Sequence, residues 1–202
     1  RQQGNQYLVN VELRAGNTLH ARAEMVLADV LSSAGLPRLK PAVGDYAADK
    51  KQIYSSGQLF HGAELQGIKK ILGCDEKGIV ADSSAAPGPG QWMKKPLRSD
   101  WLSDPLVLDV SYQLMILWCL DQLGAGSLPT GVGRYRQYQK RFPQDGTRIV
   151  IAVNERSEHR AVASIEFLDQ KGALVARIED YQCVIDPSLS RAFGRNKLTG
   201  KV

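Results

Sequence analysis

The chain has 202 residues, 43 % apolar and 23 % charged. These proportions exclude a disordered chain, a collagen-like repeat and a coiled coil, and suit one large domain or two small ones. Lys and Arg number 26 against 21 Asp and Glu, a net charge of +5 that favours acidic partners but is too mild and too dispersed for a nucleic-acid binder.

The first residue is Arg1 rather than an initiator methionine, so the sequence reads as a piece excised from something longer or a processed form of it. No basic start followed by an apolar stretch suggests a signal peptide. Residues 7 to 14 alternate apolar and polar in the manner of a half-buried strand, Ala15-Gly16-Asn17-Thr18 is a turn, and residues 19 to 27 alternate again. That pattern predicts a hairpin within a first segment, residues 1–35. Residues 36–53 are rich in Gly, Pro, Ala and Lys without a clear period and read as a linker. Leu65, Ile68, Ile71 and Leu72 fit a short helix or a strand, residues 78 to 82 a strand, and residues 85 to 90, with two prolines and two glycines, a loop.

Ser103-Asp104-Pro105 is a helix start: Asp104 can cap free amides and Pro105 suits the first helical position. Leu106 to Leu123 is apolar nearly all round, the mark of a helix buried on every side, and Gly124-Ala125-Gly126 ends it. Its longest apolar run, Leu114 to Leu120, is seven residues, against roughly 20 for a bilayer span. Strands are expected at 131–142, 148–153, 161–168 and 173–184. Residues 187–202, with Arg191, Arg195, Lys197 and Lys201, read as a basic tail. A long buried helix followed by meandering antiparallel strands implies an α+β hot-dog fold, in which a curved sheet wraps the helix. Residues 54–186 would form that hot dog, and residues 1–35 the last strands of a preceding one.

Cys74, Cys119 and Cys183 are isolated and odd in number, so neither a zinc site nor a disulfide framework is expected. They suit a reducing compartment, hence a cytoplasmic location. Most basic clusters, among them Arg134, Arg136, Lys140 and Arg141, read as solvated faces.

One polar pair stands out on the apolar helix. Asp109 and Gln113 are four residues apart and project from one face. Desolvation penalises a buried carboxylate, so Asp109 is expected to carry a raised pKa, to point into an apolar tunnel and to lie within hydrogen-bond reach of Gln113. Periodicity alone leaves a second account open, in which Asp109 sits in an early turn tied to backbone amides.

The stretch Asp104-Pro105-Leu106-Val107-Leu108-Asp109-Val110-Ser111-Tyr112-Gln113 resembles the Asp-x-x-x-Gln/His motif of polyketide synthase dehydratase domains. Phe60-His61-Gly62-Ala63-Glu64-Leu65-Gln66-Gly67-Ile68 is similar to the family's Tyr-Gly-Pro-x-Phe-Gln-Gly-Leu signature, with His61 at the Tyr and Ala63 at the Pro. Leu128-Pro129 through Tyr138 and the turn Asp169 to Glu179 resemble two later motifs in the same order. The Phe-His-Gly form is similar to that of iterative polyketide and polyunsaturated fatty acid synthases.

The resemblance implies a double hot dog in which Asp109, with Gln113 beside it, is the general acid of the second half. Phe60, His61, Gly62, Leu65 and Pro129 would bind substrate. The base, a histidine in His-x-x-x-Gly-x-x-x-x-Pro, would come from the first half. That motif is absent: the residues four after His20, His61 and His159 are Glu24, Leu65 and Ala163.

The implied reaction takes a β-hydroxyacyl thioester to an enoyl thioester plus water, without metal or redox cofactor. The substrate would arrive on the phosphopantetheine arm of an acyl carrier protein, among neighbouring synthase domains, with a homodimer as one open assembly and no nucleic-acid or membrane partner. A product-template-like cyclisation domain and a non-catalytic hot-dog scaffold are the alternatives.

Overall fold

Strands β1 (Gln2–Gln3), β2 (Gln6–Ala15) and β3 (Thr18–Ala28) make an antiparallel sheet in the first of two units, Arg1–Ser33 and Ala34–Val202. The structure is a computed structural model that describes residues 2–4 and 6–195. Gly16, at φ 57°, takes the left-handed conformation that the β2–β3 turn requires. The register sets Tyr7 opposite Leu27, Val9 opposite Met25 and Val11 opposite Ala23, whereas Asn10 faces Glu24 and Glu12 faces Arg22. One face is therefore apolar, and the other is polar apart from the Leu8–Val26 pair. The apolar face is exposed, with Tyr7 at 53 % and Leu13 at 64 %.

The second unit is built around α3 (Pro105–Leu123). Asp104 caps its start through both oxygens, Oδ1 accepting from the Val107 amide and Oδ2 from the Ala86 amide, each at 2.9 Å. Gly124 ends it at φ 68°. A six-stranded antiparallel sheet packs against the helix in the order β4 (Ile68–Asp75), β5 (Gly78–Ser83), β7 (Thr147–Arg156), β8 (Arg160–Leu168), β9 (Leu174–Asp186) and β6 (Gly126–Gln137). This is the expected hot-dog arrangement. Leu114, Met115, Leu117 and Trp118 are wholly buried among Ile79, Ile149, Ile151, Ile165 and Phe167, and the Trp118 Nε1–H donates to the Asp75 carbonyl at 2.9 Å. The helix is long and apolar enough to cross a membrane by length and composition, but here it is the sheet-packed core helix.

Three expectations need correction. Residues 64–72 are neither one helix nor one strand: a 3-10 turn at Ala63–Leu65 precedes β4. Residues 50–53 of the expected linker begin helix α1 (Lys50–Ser55), where Asp49 and Gln52 form a capping box and Ile53 enters the core. Residues 187–195 of the expected basic tail form helix α4 (Pro187–Arg195), whose Phe193 is buried. The rest of that tail, with Lys197 and Lys201, lies outside the described residues. A one-turn helix α2 (Pro89–Trp92) interrupts the loop before α3.

The segment before α1 is packed despite its lack of regular structure. Leu39 and Ala42 rest on Val80, Val150 and Leu168, and the Gly44 carbonyl accepts from the Cys74 amide at 2.8 Å. A Cβ at Gly73 would lie 2.3 Å from the Ala42 carbonyl oxygen, so glycine permits this close approach. Beneath the segment, buried Glu166 accepts from the Arg38 and Leu39 amides at 3.0 and 3.1 Å and from Arg177 Nε at 2.9 Å.

Replacing Glu166 by Ala strands the Arg177 guanidinium and leaves two amides without an acceptor. Removing one partner of a buried pair costs about 3–5 kcal/mol. Urea denaturation of Glu166→Ala should show a loss of that order, whereas Glu155→Ala, at an exposed site on β7, should change stability little.

Candidate active site

Burial divides α3 lengthwise. Pro105, Leu108, Asp109 and Tyr112, spaced i, i+3, i+4 and i+7, are half-buried, while Leu106, Val107, Val110 and every residue from Gln113 to Cys119 are buried. The open stripe carries the one carboxylate of the helix's first three turns. Asp109 is 30 % exposed at its side chain, and Gln113, one turn on, is fully enclosed.

Enclosure determines how Gln113 is oriented, because a buried amide must satisfy both its ends. Its Oε1 accepts from the Tyr54 hydroxyl at 2.8 Å, and its Nε2 donates to the Leu65 carbonyl and to Asp109 Oδ2, both at 2.7 Å. The Tyr54 hydroxyl in turn accepts from the Ile68 amide at 3.0 Å. Burial, with the Asp109 charge nearby, pushes the Tyr54 pKa up to about 12 against the opposing Ile68 hydrogen bond. The phenol is therefore protonated at neutral pH and serves as a donor. Tyr112 is pushed up in the same direction by burial and by Asp109, and its ring stacks on Tyr181 with centroids 5.3 Å apart.

His61 approaches Asp109 from another element, its Nε2 lying 3.6 Å from Oδ2 with the side chain only 7 % exposed. Burial lowers its pKa below 6.5, and the Asp109 charge opposes that shift without overcoming it. The imidazole is neutral at pH 7. Its Nδ1 is buried without a hydrogen-bond partner, which suits the unprotonated nitrogen, so the N–H sits on Nε2 and points toward Asp109. Gln113 Nε2 hydrogen-bonds Oδ2, while His61 Nε2 faces the same oxygen from 3.6 Å, beyond hydrogen-bond reach. Among the described residues nothing hydrogen-bonds Oδ1.

The structure thus brings together Asp109, Gln113, His61 and the Leu65 carbonyl, and adds Tyr54, which the sequence did not single out. Phe60 stacks on His61 with centroids 4.5 Å apart, and Gly62 opens the 3-10 turn that presents the Leu65 carbonyl. Pro129 stands apart from this network: it is exposed on β6 at a bulge, opposite Cys183. Two cavities of about 120 and 220 Å³ lie elsewhere, one lined by Arg38, Glu166 and Arg177, the other by Trp101, Asp104 and Arg141. Neither includes Asp109, so they are not the expected tunnel. His20 and His159 are exposed, and the three cysteines are free and buried. Among the described residues no cluster of His, Cys, Asp and Glu could hold a metal ion.

Two measurements check this network. Tyr54→Phe leaves Gln113 Oε1 and the Ile68 amide unpaired, which should lower stability by about 1–3 kcal/mol in urea denaturation. An NMR titration should place the His61 midpoint below 6.5, and lower still in Asp109→Asn, because that change removes the charge that draws the proton to the ring.

A family model described as the polyketide synthase dehydratase N-terminal domain matches residues 32–187. One chain of a polyunsaturated fatty acid synthase from Thraustochytrium sp. is 28 % identical over 157 residues, covering 74 % of this chain and 6 % of that one. The dehydratase domain of a mycocerosic acid synthase-like polyketide synthase superposes with a TM-score of 0.67 at 19 % identity, over 91 % of this chain and 65 % of that one. The dehydratase domain of PpsC from Mycobacterium tuberculosis, solved with C12:1-CoA, gives 0.62 at 18 % identity, over 92 % and 66 %. The chain therefore spans about two thirds of these solved domains and a small part of the fatty acid synthase chain. With well over half of its length matched by that family model, the chain belongs to the polyketide synthase dehydratase family.

Proposed function

We propose that this chain is the acid-bearing part of a dehydratase within a polyketide or fatty acid multi-enzyme synthase. The observation that carries the reading is the Asp109 carboxyl, held at Oδ2 by Gln113 on a sheet-packed helix, with Oδ1 unengaged on the helix's open stripe. Relatives of the chain are domains of multi-domain synthases.

In the proposed reaction a base removes the α-proton of a β-hydroxyacyl thioester, the Cβ–O bond breaks, and the pair from the C–H bond becomes the α,β double bond. The departing hydroxyl takes a proton from Asp109 and leaves as water. Proton transfer at two positions suffices, so the reading invokes neither metal nor redox cofactor. The base would come from a first hot dog in the parent protein. The exposed apolar face of β2 and β3 supports that reading, since a hairpin of this kind needs a covering layer to be stable. The family description names an N-terminal region, so the assignment of residues 54–186 to the second hot dog rests on the order of the motifs.

His61 is the less suitable base. Its Nε2 faces Asp109 and its Nδ1 is enclosed, so neither nitrogen is open to a substrate carbon. It belongs to the support of Asp109, with Phe60, Gly62 and Leu65 shaping the surrounding wall. Substrate delivery by an acyl carrier protein, a cytoplasmic setting and a homodimeric parent remain parts of this proposal. The Arg134–Arg141 cluster supports carrier docking only weakly, because Arg134 pairs with Glu179 at 3.6 Å and Arg141 with Asp100 at 2.9 Å. Pro129, exposed at the start of β6, would meet substrate only where another part of the parent completes the wall.

General acid catalysis contributes about 10²- to 10⁴-fold. In the intact parent synthase, Asp109→Asn should slow dehydration of a carrier-bound β-hydroxyacyl thioester by that factor and leave thermal unfolding close to wild type. Full activity in that variant overturns the assignment. The 202-residue chain alone should not dehydrate a small β-hydroxyacyl thioester, and turnover by it would show that the base lies within this chain.

A further inference from the structure

Helix α4 reaches the Asp109 site through a run of rings. Phe193, 7 % exposed, lies with its centroid 4.7 Å from that of Phe60, and Phe60 stacks on His61 at 4.5 Å with the planes 23° apart. His61 in turn lies 3.6 Å from Asp109. The loop that carries Phe60 and His61 has no regular structure between α1 and the 3-10 turn. Among the described residues, its own hydrogen-bond tether at His61 is one long bond, from Gln66 Nε2 to the His61 carbonyl at 3.4 Å. Phe60 is 37 % exposed and cannot hold the imidazole by burial of its own. Leu59, buried in the core, anchors the loop one residue before Phe60, and the Phe60 ring itself is backed by Phe193 of α4.

That helix is itself fastened at a defined place. The Gly126 amide donates to Ser190 Oγ at 2.9 Å, and a Cβ at Gly126 would stand 3.0 Å from the Phe193 ring and 3.1 Å from Leu189 Cβ. The Asp186 carboxylate accepts from the Ser188 amide at 2.7 Å where β9 passes into the helix. The helix thus sits directly on the first residue of β6, and Phe193 cannot withdraw from Phe60 without loosening that contact.

We propose that Phe193 is a positioning residue for the acid site: acting through Phe60, it holds the His61 imidazole buried beside Asp109, so that the Nε2–H stays directed at Oδ2. The importance of that position for turnover rests on the reading of Asp109 as the acid. The positioning itself does not. Ring packing of this kind keeps water from His61, and Asp109 on α3 is the charge that acts on the imidazole.

The test has two arms. In the 202-residue chain, the His61 ring is followed by NMR titration, its resonance assigned by its loss in His61→Gln. Phe193→Ala should let water reach the ring and raise the midpoint toward 6.5, because the desolvation that lowers it is relieved. Arg191→Ala, at an exposed site on the same helix, should leave it unchanged. In the parent synthase, Phe193→Ala should lower kcat for dehydration about 10-fold with KM unchanged, and Arg191→Ala should lower neither.

Should Phe193→Ala fail to fold, Phe193→Leu keeps apolar volume without the flat ring and should move both readouts in the same direction by less. An unmoved His61 midpoint in a folded variant overturns the proposal, whatever happens to activity. Where Asp109→Asn does slow turnover, a moved midpoint with unchanged kcat, or with a rise in KM alone, overturns it as well. Asp109→Asn, assayed alongside, separates the two readings: if that variant stays active, the assignment of the acid fails, while the midpoint arm still decides what Phe193 does.

Discussion

Everything in the second unit follows from the burial of α3. A helix that is apolar on nearly all sides cannot rest on a flat support, since a flat sheet covers one stripe and leaves the rest in water. A curved six-stranded sheet covers more of it, and α1, the 3-10 turn and the loops cover much of what remains. A stripe from Pro105 to Tyr112 is left partly open, as is the last turn from Leu120, and Asp109 stands on that stripe. The site lies on a part of the core helix that the other described residues leave partly open.

Gln113 converts that packing into a specific geometry. It sits where α3 is covered, so each polar atom of its amide needs a partner, and the partners come from α1, from the turn before β4 and from α3 itself. Loss of any one leaves a buried polar group unpaired, at about 1–3 kcal/mol. Three segments distant in sequence are thereby held in one register, and the Asp109 carboxyl is fixed by the same bonds. Tyr54 and Gln113 are neutral, and burial keeps His61 neutral at pH 7. The site therefore surrounds one carboxyl with uncharged donors, which orient it without supplying a permanent counter-charge.

The segment before α1 shows a different use of a buried charge. Glu166 and Arg177 lie away from the helix, and the carboxylate has two tasks: it neutralises the guanidinium and accepts two amides of residues 38 and 39. Desolvation opposes burial of such a pair, so its contribution lies in fixing one path for the segment rather than in raw stability. That path delivers the chain to Asp49, where α1 begins and brings Tyr54 to Gln113.

Much of this was legible in the residues themselves. The Asp104-Pro105 start and the Gly124 stop bound α3 to within a residue, because capping and left-handed termination are local chemistry. Alternation and β-branched runs located the hairpin and most later strands, although β6 begins and ends five residues before the expected 131–142, and the i, i+4 spacing of Asp109 and Gln113 was enough to predict their contact. Other features depended on contacts between distant residues. Tyr54 has no local mark that separates it from the other tyrosines; it stands 59 positions before Gln113, and only the sheet's closure around α3 joins them. Residues 187–195 looked like a solvated tail because serines and arginines interrupt their few apolar groups, yet Leu189 and Phe193 find the core at β6. His61 likewise carries no local sign that its ring is buried, stacked on Phe60 beside Asp109. Local chemistry settled where the elements begin and end and which pair to suspect, while the closure of the sheet decided which distant side chains stand around Asp109, because burial and pairing are properties of neighbours that the linear order does not contain.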